Sequence, residues 1–196
     1  MGIKERKQRD RITMQRLILK TASSLFQEHG IEQVSIRNIA ASIEYSPATI
    51  YLYFRDKNEI LFYLRNDFME EFEEKLREFD FIKDHYSRLK NISQSWLEYA
   101  INNPDKYQMI FSSNGKLEDI SVYKYLDESI TACIHNNQLH RMPISEGSTI
   151  ILSFLHGMAS LVINNKLVKS SKPELKDYLV DLVNRFLTNM KGYSLV

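Results

Sequence analysis

Residues 35–59 read SIRNIAASIEYSPATIYLYFRDKNE, and three local signals in this stretch decide the fold. Ser35 stands where a helix begins, with a hydroxyl able to accept an unpaired first-turn amide. Ile36, Ile39, Ala40 and Ile43 then follow at the i, i+3, i+4, i+7 spacing of one helix face. Ser46-Pro47 repeats the signal, with a hydroxyl cap and then a proline at the first helical position, where the missing N–H costs nothing. Asp56 opens a third helix, and Glu59 three residues later resembles a capping box with Asp in place of Ser or Thr. Two short helices joined by a tight turn form a helix-turn-helix, whose second helix offers its N-terminal residues to base edges in the DNA major groove.

Outward from this stretch the pattern stays helical. Ile18, Ala22, Leu25 and Phe26 place a helix over about residues 10–28, with Gly30 as its stop. Downstream, Ile60, Leu61, Leu64, Phe68, Phe72, Leu76 and Phe79 carry the helix opened by Asp56 through about six turns. Further helices are predicted over about residues 85–102, 104–111, 117–136, 145–165 and 173–190. Gly and Pro number only 6 and 4 in 196 residues, so connections are short. The expected fold is all-α: an N-terminal three-helix head with the helix-turn-helix, followed by a helical body, about nine helices in total. The boundary is expected at the start of the fourth helix, giving a basic arm and DNA-binding domain over residues 1–56 and an effector-binding and dimerisation domain over 57–196. That fourth helix is too long for the head and must link the two.

Net charge is +1, but residues 1–57 hold ten Lys/Arg against six Asp/Glu, while the remainder holds sixteen against nineteen. A basic head on a slightly acidic body suits a polyanion contact at one end. The single cysteine, Cys133, excludes an internal disulfide framework and reads as a buried small hydrophobe. The most apolar run, residues 150–163, is interrupted by Ser153, His156, Gly157 and Ser160 and is too short to span a bilayer. The N-terminus is polar and basic, unlike a secretory signal. A cytoplasmic protein without membrane association is expected.

Within the reading helix, Ser46, Pro47, Ala48 and Thr49 are small enough for close backbone approach to bases, and Ala48 or the Thr49 methyl can touch a thymine methyl. Tyr51 and Tyr53 can each reach a phosphate through the hydroxyl. Lys57 sits at a helix N-terminus, where free N–H groups favour phosphate. Arg37, in the first turn of the preceding helix, is the candidate for a guanine edge or a phosphate.

Residues 11–62 resemble the N-terminal domain of the tetracycline-repressor (TetR) family. The resemblance rests on Ile18, Ala22, Leu25, Phe26, His29-Gly30, Ser35, Ile39-Ala40, the run from Ser46 to Phe54, and Arg55 to Leu61. It implies an all-helical homodimer of nine-helix subunits acting as an effector-controlled repressor. Family DNA contacts carry over onto Ser35, Arg37, Ser46, Pro47, Ala48, Thr49, Tyr51, Tyr53 and Lys57. The chain departs from the family at Glu44-Tyr45, where Gly-Val is usual. Glu44 must then hold a conformation that glycine takes more easily, at a cost of ~1 kcal/mol, and it places a negative charge near DNA.

In the body, residues 150–163 are apolar on more than one face and carry the small-residue strip Ser153, Gly157 and Ser160. The last helix has a wide stripe formed by Leu175, Tyr178, Leu179, Leu182, Val183, Phe186, Leu187 and Met190. Two helices with excess apolar surface predict a homodimer through the last two helices, as one branch of the resembled family has. Trp96, Tyr99, Tyr107, Met109, Ile110, Phe111, Tyr125, Phe154, His156 and Met158 are aromatic or flexible residues able to line an effector cavity. The ligand-binding set is placed on Trp96, Tyr99, Met109, Phe111, Tyr125, Phe154 and His156. No metal site or cofactor is expected: His135 and His140 have no cysteine or carboxylate at metal spacing.

Together these readings predict a regulator released from a palindromic double-stranded operator by a small, largely apolar ligand. An enzyme is not expected, because the chain lacks a nucleophile elbow, a phosphate-binding Gly loop and a metal cluster. A helical protein-interaction scaffold is the alternative, but it gives no reason for a small-residue reading helix flanked by Tyr53 and Lys57.

Overall fold

A computed structural model of the chain describes residues 2–111, 120–167 and 171–191. Among them all regular structure is helical: α1 (Ile3–His29), a single 3-10 turn (Ile31–Gln33), α2 (Ile36–Ser42), α3 (Pro47–Tyr51), α4 (Lys57–Arg77), α5 (His85–Asn102), α6 (Pro104–Phe111), α7 (Ser121–His135), α8 (Ile144–Ile163) and α9 (Lys172–Asn189). The expected all-α fold is therefore the fold of the chain. The helices at 85–102 and 104–111 match their expected bounds. The first four residues of the helix expected from 117 reach into the undescribed segment or a non-helical position, and α7 begins at Ser121.

The chain divides into two compact units, residues 1–67 and 68–196. The division falls inside α4, eleven residues beyond the boundary expected at its start. The reason lies in the first turns of that helix. Ile60 and Leu64 are buried, Tyr63 packs edge-on to Phe54 at 5.7 Å, and the Lys57 ammonium donates to the carbonyls of Ile31 and Val34. These turns are part of the head.

In the head, Ile18, Ala22, Phe26, Val34, Ile39, Ala40, Ile50 and Phe54 form the core with Ile60. Helix α1 starts seven residues before the expected position. Lys, Glu, Arg and Gln at residues 4–9 are good helix formers, and the Glu5 carboxylate accepts the Gly2 N–H at 2.9 Å. At the other end Gly30 takes φ 81°, ψ 151°, a region open to glycine, and its N–H bonds to the Phe26 carbonyl.

In the second unit, α5 is the central helix and packs against α6, α7, α8 and α9. Leu89, Ile92, Trp96, Leu126, Ile130, Ile151, Leu155, Leu179, Val183 and Leu187 are buried there. Helix α8 approaches α7 at Gly147, where a Cβ would lie 3.0 Å from Ile134 Cδ1 and 3.3 Å from Met142 Sδ. The neighbouring Ser148 is buried and donates to the Asp127 carboxylate. Cys133 is a free, buried thiol, pushed up to about 12 by burial, which fits an inert core residue.

Helix α8 lies within two residues of its expected bounds, 145–165, and extends beyond the apolar run 150–163. At twenty residues and mean hydropathy 1.4 it is long and apolar enough to cross a membrane, contrary to the sequence expectation. Its Ile151, Leu152, Leu155 and Ala159 are buried, while Ile150 and Leu161 stay exposed. The strip Ser153, Gly157 and Ser160 also faces outward, and a Cβ at Gly157 would meet nothing within 4 Å. Among the described residues, the close crossing that this strip permits is thus not used.

Candidate functional site

The Ser35 cap forms as expected: its hydroxyl accepts the Asn38 N–H at 3.2 Å, and the Asn38 side chain returns to the Ser35 N–H at 2.9 Å. This is a capping box with Asn at the third helical position. Ser46 caps α3 by accepting the Thr49 N–H at 3.2 Å, and the two hydroxyls lie 3.0 Å apart. The Ser46 and Thr49 hydroxyls are thereby partly committed to holding the helix start.

Between these helices Glu44 has φ 60°, in the left-handed region. Its N–H bonds to the Ala41 carbonyl at 3.1 Å, and the Tyr45 N–H reaches back to the Ala40 carbonyl at 3.0 Å. These two bonds define a Schellman ending, in which the left-handed residue is usually glycine or asparagine. The chain ends α7 and α8 in the same way, with Asn137 (φ 55°) and Asn165 (φ 53°) at the corresponding positions. Only at the helix-turn-helix does a glutamate take this place among the three.

The turn and caps fix which side chains face outward. Along α3, Ile50 is fully buried and Phe54 follows it inward. Ser46, Pro47, Ala48 and Tyr51 are exposed, Thr49 and Tyr53 are half-buried, and Ser35 and Arg37 are exposed on the adjoining helix. The structure therefore leaves all nine expected DNA contacts, Lys57 included, exposed or half-buried on α2, α3, their caps, the segment after α3 and the start of α4. Sequence reasoning passed over Tyr45 and Leu52, which are exposed beside them at 46% and 73%.

The Lys57 ammonium donates to the Ile31 carbonyl at 3.0 Å and the Val34 carbonyl at 3.1 Å. Two of its three donors thus close the link between α1 and α2. The start of α4 also differs in detail from a capping box. Asp56 accepts the Glu59 N–H at 2.9 Å, but the Glu59 carboxylate takes the N–H of Arg55, one residue before the cap. The Asp56 carboxyl is held below its ordinary range, first by that Glu59 amide.

In the second unit a polar chain runs through an aromatic cluster. The Trp96 indole N–H donates to the Tyr107 hydroxyl at 3.0 Å, and that hydroxyl lies 2.7 Å from His156 Nδ1. Because indole can only donate, the tyrosine proton goes to Nδ1, and His156 carries its own proton on Nε2. Phe111 meets the imidazole edge-on at 4.3 Å, and Phe72 packs on Trp96 at 4.9 Å and on Tyr99 at 4.1 Å. Burial pulls the His156 pKa down to about 4 and raises that of the Tyr107 hydroxyl. Burial also raises the Tyr99 hydroxyl, which donates to the Phe68 carbonyl at 3.2 Å.

Of the expected ligand residues, Trp96, Phe111 and His156 meet directly, and Tyr99 joins them through Phe72. Met109 is half-buried on α6, two residues before Phe111. Tyr125 and Phe154 do not join the cluster. The Tyr125 hydroxyl donates to Asp80 at 2.5 Å, and its ring lies under the Arg77 guanidinium at 4.6 Å, so it ties α7 to the end of α4. Phe154 stacks on Phe186 at 4.0 Å, joining α8 to α9. An open cleft of about 250 Å³ lies elsewhere, lined by Phe79, Asn91, Gln94 and Leu179 and spanned by the 2.7 Å Glu98–Lys176 ion pair. None of the expected ligand residues lines it.

Comparison with known proteins agrees with this arrangement. Residues 18–64 match the family described as bacterial regulatory proteins, tetR family. An HTH-type transcriptional regulator of Staphylococcus aureus strain bovine RF122 is 29% identical over 113 residues, 56% of this chain and 60% of that protein. The chain thus matches about three-fifths of that relative's length. Among solved structures, a Rhodococcus sp. RHA1 protein of unknown function superposes with TM-score 0.77 at 14% identity, covering 91% of this chain and 95% of that one. The fatty acid degradation regulator FadR of Bacillus halodurans superposes with TM-score 0.68 at 19% identity, covering 88% and 93%. At these identities the two structures speak for the fold. Over residues 18–64, its helix-turn-helix domain, the chain is similar to the tetR family of bacterial regulatory proteins.

Proposed function

We propose that this chain is a cytoplasmic DNA-binding transcriptional regulator, a homodimeric repressor released from a palindromic operator by a small, largely apolar ligand. The observation that carries the reading is the outward face of α3. Ser46, Pro47, Ala48 and Tyr51 are exposed on a five-residue helix held at one end by the Ser46 cap and the Schellman turn. The helix packs inward through Ile50, and the small residues on its outward face suit close approach to a major groove.

Dimerisation is supported by the outward strip of α8. Only a third of its most apolar window is buried, and Ser153, Gly157 and Ser160 leave room for a second helix to approach. A partner helix pair would cover Ile150 and Leu161 as well. The ligand reading is supported by the Trp96–Tyr107–His156 chain within its aromatic wall, which offers largely apolar surface and one fixed polar group. The likeness to a regulator described as acting in fatty acid degradation is in keeping with an apolar effector. The chain acts in this reading by binding rather than by catalysis. A ligand that binds the non-DNA-binding form tenfold more tightly shifts the equilibrium by about 1.4 kcal/mol.

The test is a fluorescence-anisotropy titration of the full chain against duplexes that it enriches from a random-sequence pool. Binding is expected to prefer inverted repeats with half-sites about one helical turn apart and to weaken steeply with salt. Absence of any salt-sensitive, sequence-preferring binding would remove the proposal.

A further inference from the structure

Among the described residues of the first unit, Leu52 is the most exposed large apolar side chain, at 73%. Its backbone is still helical (φ −71°, ψ −18°), and its N–H bonds to the Thr49 carbonyl. Its side chain therefore follows the helical spacing of α3. Ala48, Tyr51 and Leu52, at i, i+3 and i+4, share one face, and all three are exposed, while Ile50 and Phe54 point into the core. Leu52 adds nothing to the packing of the head at that exposure. It lies one helical turn past Ala48, about 6 Å along the axis, or under two base steps at about 3.4 Å each.

A leucine side chain has neither donor nor acceptor. Among the groups that base pairs present in the major groove, the thymine C5-methyl is the apolar one. With α3 in the groove, a contact between Leu52 and a base edge can reward only that methyl, and any other base leaves the leucine against polar edges. We infer that Leu52 is a specificity-determining residue that reads one thymine per half-site through its 5-methyl group. This rests on the DNA-binding reading above and goes beyond it, because it assigns a base and an atom to a residue that neither the motif nor the family contacts mark.

The experiment uses the full chain and the duplexes it enriches from a random pool. Each thymidine is replaced in turn by deoxyuridine, which keeps every hydrogen-bonding group and loses only the methyl. At one position per half-site the dissociation constant is expected to rise about fourfold, the worth of one buried methyl. In Leu52→Ala, melting is expected to be unchanged, and the same replacement at that position is expected to alter affinity less than twofold. Uridine effects at other positions should persist in the variant. The inference is overturned if no thymine position responds, if Leu52→Ala keeps the response, or if Leu52→Ala weakens all duplexes alike, as a sugar contact would. Failure to enrich any duplex overturns it together with the DNA-binding reading, whereas normal binding without methyl dependence overturns it alone.

Discussion

Replacing Glu44 by glycine should stabilise the protein, although Glu44 is exposed and the change removes a side chain. The two Schellman bonds, from the Glu44 and Tyr45 amides to the Ala41 and Ala40 carbonyls, hold only while residue 44 stays left-handed. An L-residue there carries a penalty of roughly 1–2 kcal/mol. Glycine relieves it, but loses about 0.5–1 kcal/mol through the extra freedom of the unfolded chain. The net gain is therefore about 0.5–1 kcal/mol, which for a chain of this size raises the melting temperature by roughly 1–4 °C if it unfolds as one unit. The assay is thermal and urea unfolding followed by far-UV circular dichroism, with Glu44→Ala beside Glu44→Gly. Alanine removes the charge but keeps the Cβ, so it should gain nothing. For DNA affinity the order differs: both variants lose a negative charge beside the phosphates, and both should bind more tightly by a similar factor. An alanine variant as stable as the glycine variant would assign the gain to charge, and no gain in either would refute strain at this turn.

Three further outcomes are expected. Lys57→Met removes both ammonium bonds to the Ile31 and Val34 carbonyls and should destabilise the chain by about 1–3 kcal/mol in urea unfolding; unchanged stability with lower DNA affinity would return Lys57 to the phosphate role. The His156 pKa is lowered by burial to about 4 from 6.5, so the unfolded chain binds the extra proton between those values. That contribution, at most about 3 kcal/mol, is complete above pH 6.5 and is lost as pH falls toward 4. Emission of Trp96, the single tryptophan, edge-on to His156 at 5.9 Å, should follow the titration, and His156→Phe should abolish it. Gly157→Arg, where nothing lies within 4 Å of an added Cβ, should turn a dimer into a folded monomer by analytical ultracentrifugation; an intact dimer would move the interface off this strip.

The head was legible because each of its decisions is local. A cap, a proline and an i, i+3, i+4 spacing within twenty-five residues specify two helices and a turn, and the family pattern independently marks Glu44 as the misfit. Lys57 was not legible as a brace, since its carbonyl partners lie 26 and 23 residues away in sequence and nothing at Ile31 or Val34 advertises a free acceptor. Leu52 escaped for the opposite reason: a leucine between two tyrosines reads as core until exposure is known. In the second unit, aromatic content alone could not separate Phe111, which meets His156, from Phe154, which stacks on Phe186. Both sit on helices with apolar faces, and only the packing of α5, α6 and α8 decides which one joins the cluster.

The placement of Lys57 bears on how a signal could reach the reading helix. Helix α4 runs through the division between the two units, with its first turns in residues 1–67 and its last turns in residues 68–196. A ligand acts on DNA affinity only through a difference in free energy between two arrangements of the chain. If α4 could fray or pivot at its start, part of that difference would be lost in local rearrangement before it reached α3. The ammonium bonds to the carbonyls on either side of the 3-10 turn, the Asp56 cap and the Glu59 carboxylate on the Arg55 amide oppose such fraying. Together they join the first turn of α4 to the segment that leads into α2. In the proposed repressor, a displacement of α4 would then carry the helix-turn-helix as a block rather than bend it. The two carbonyl bonds of Lys57 would couple α4 to the segment leading into α2 and leave its third N–H for a phosphate.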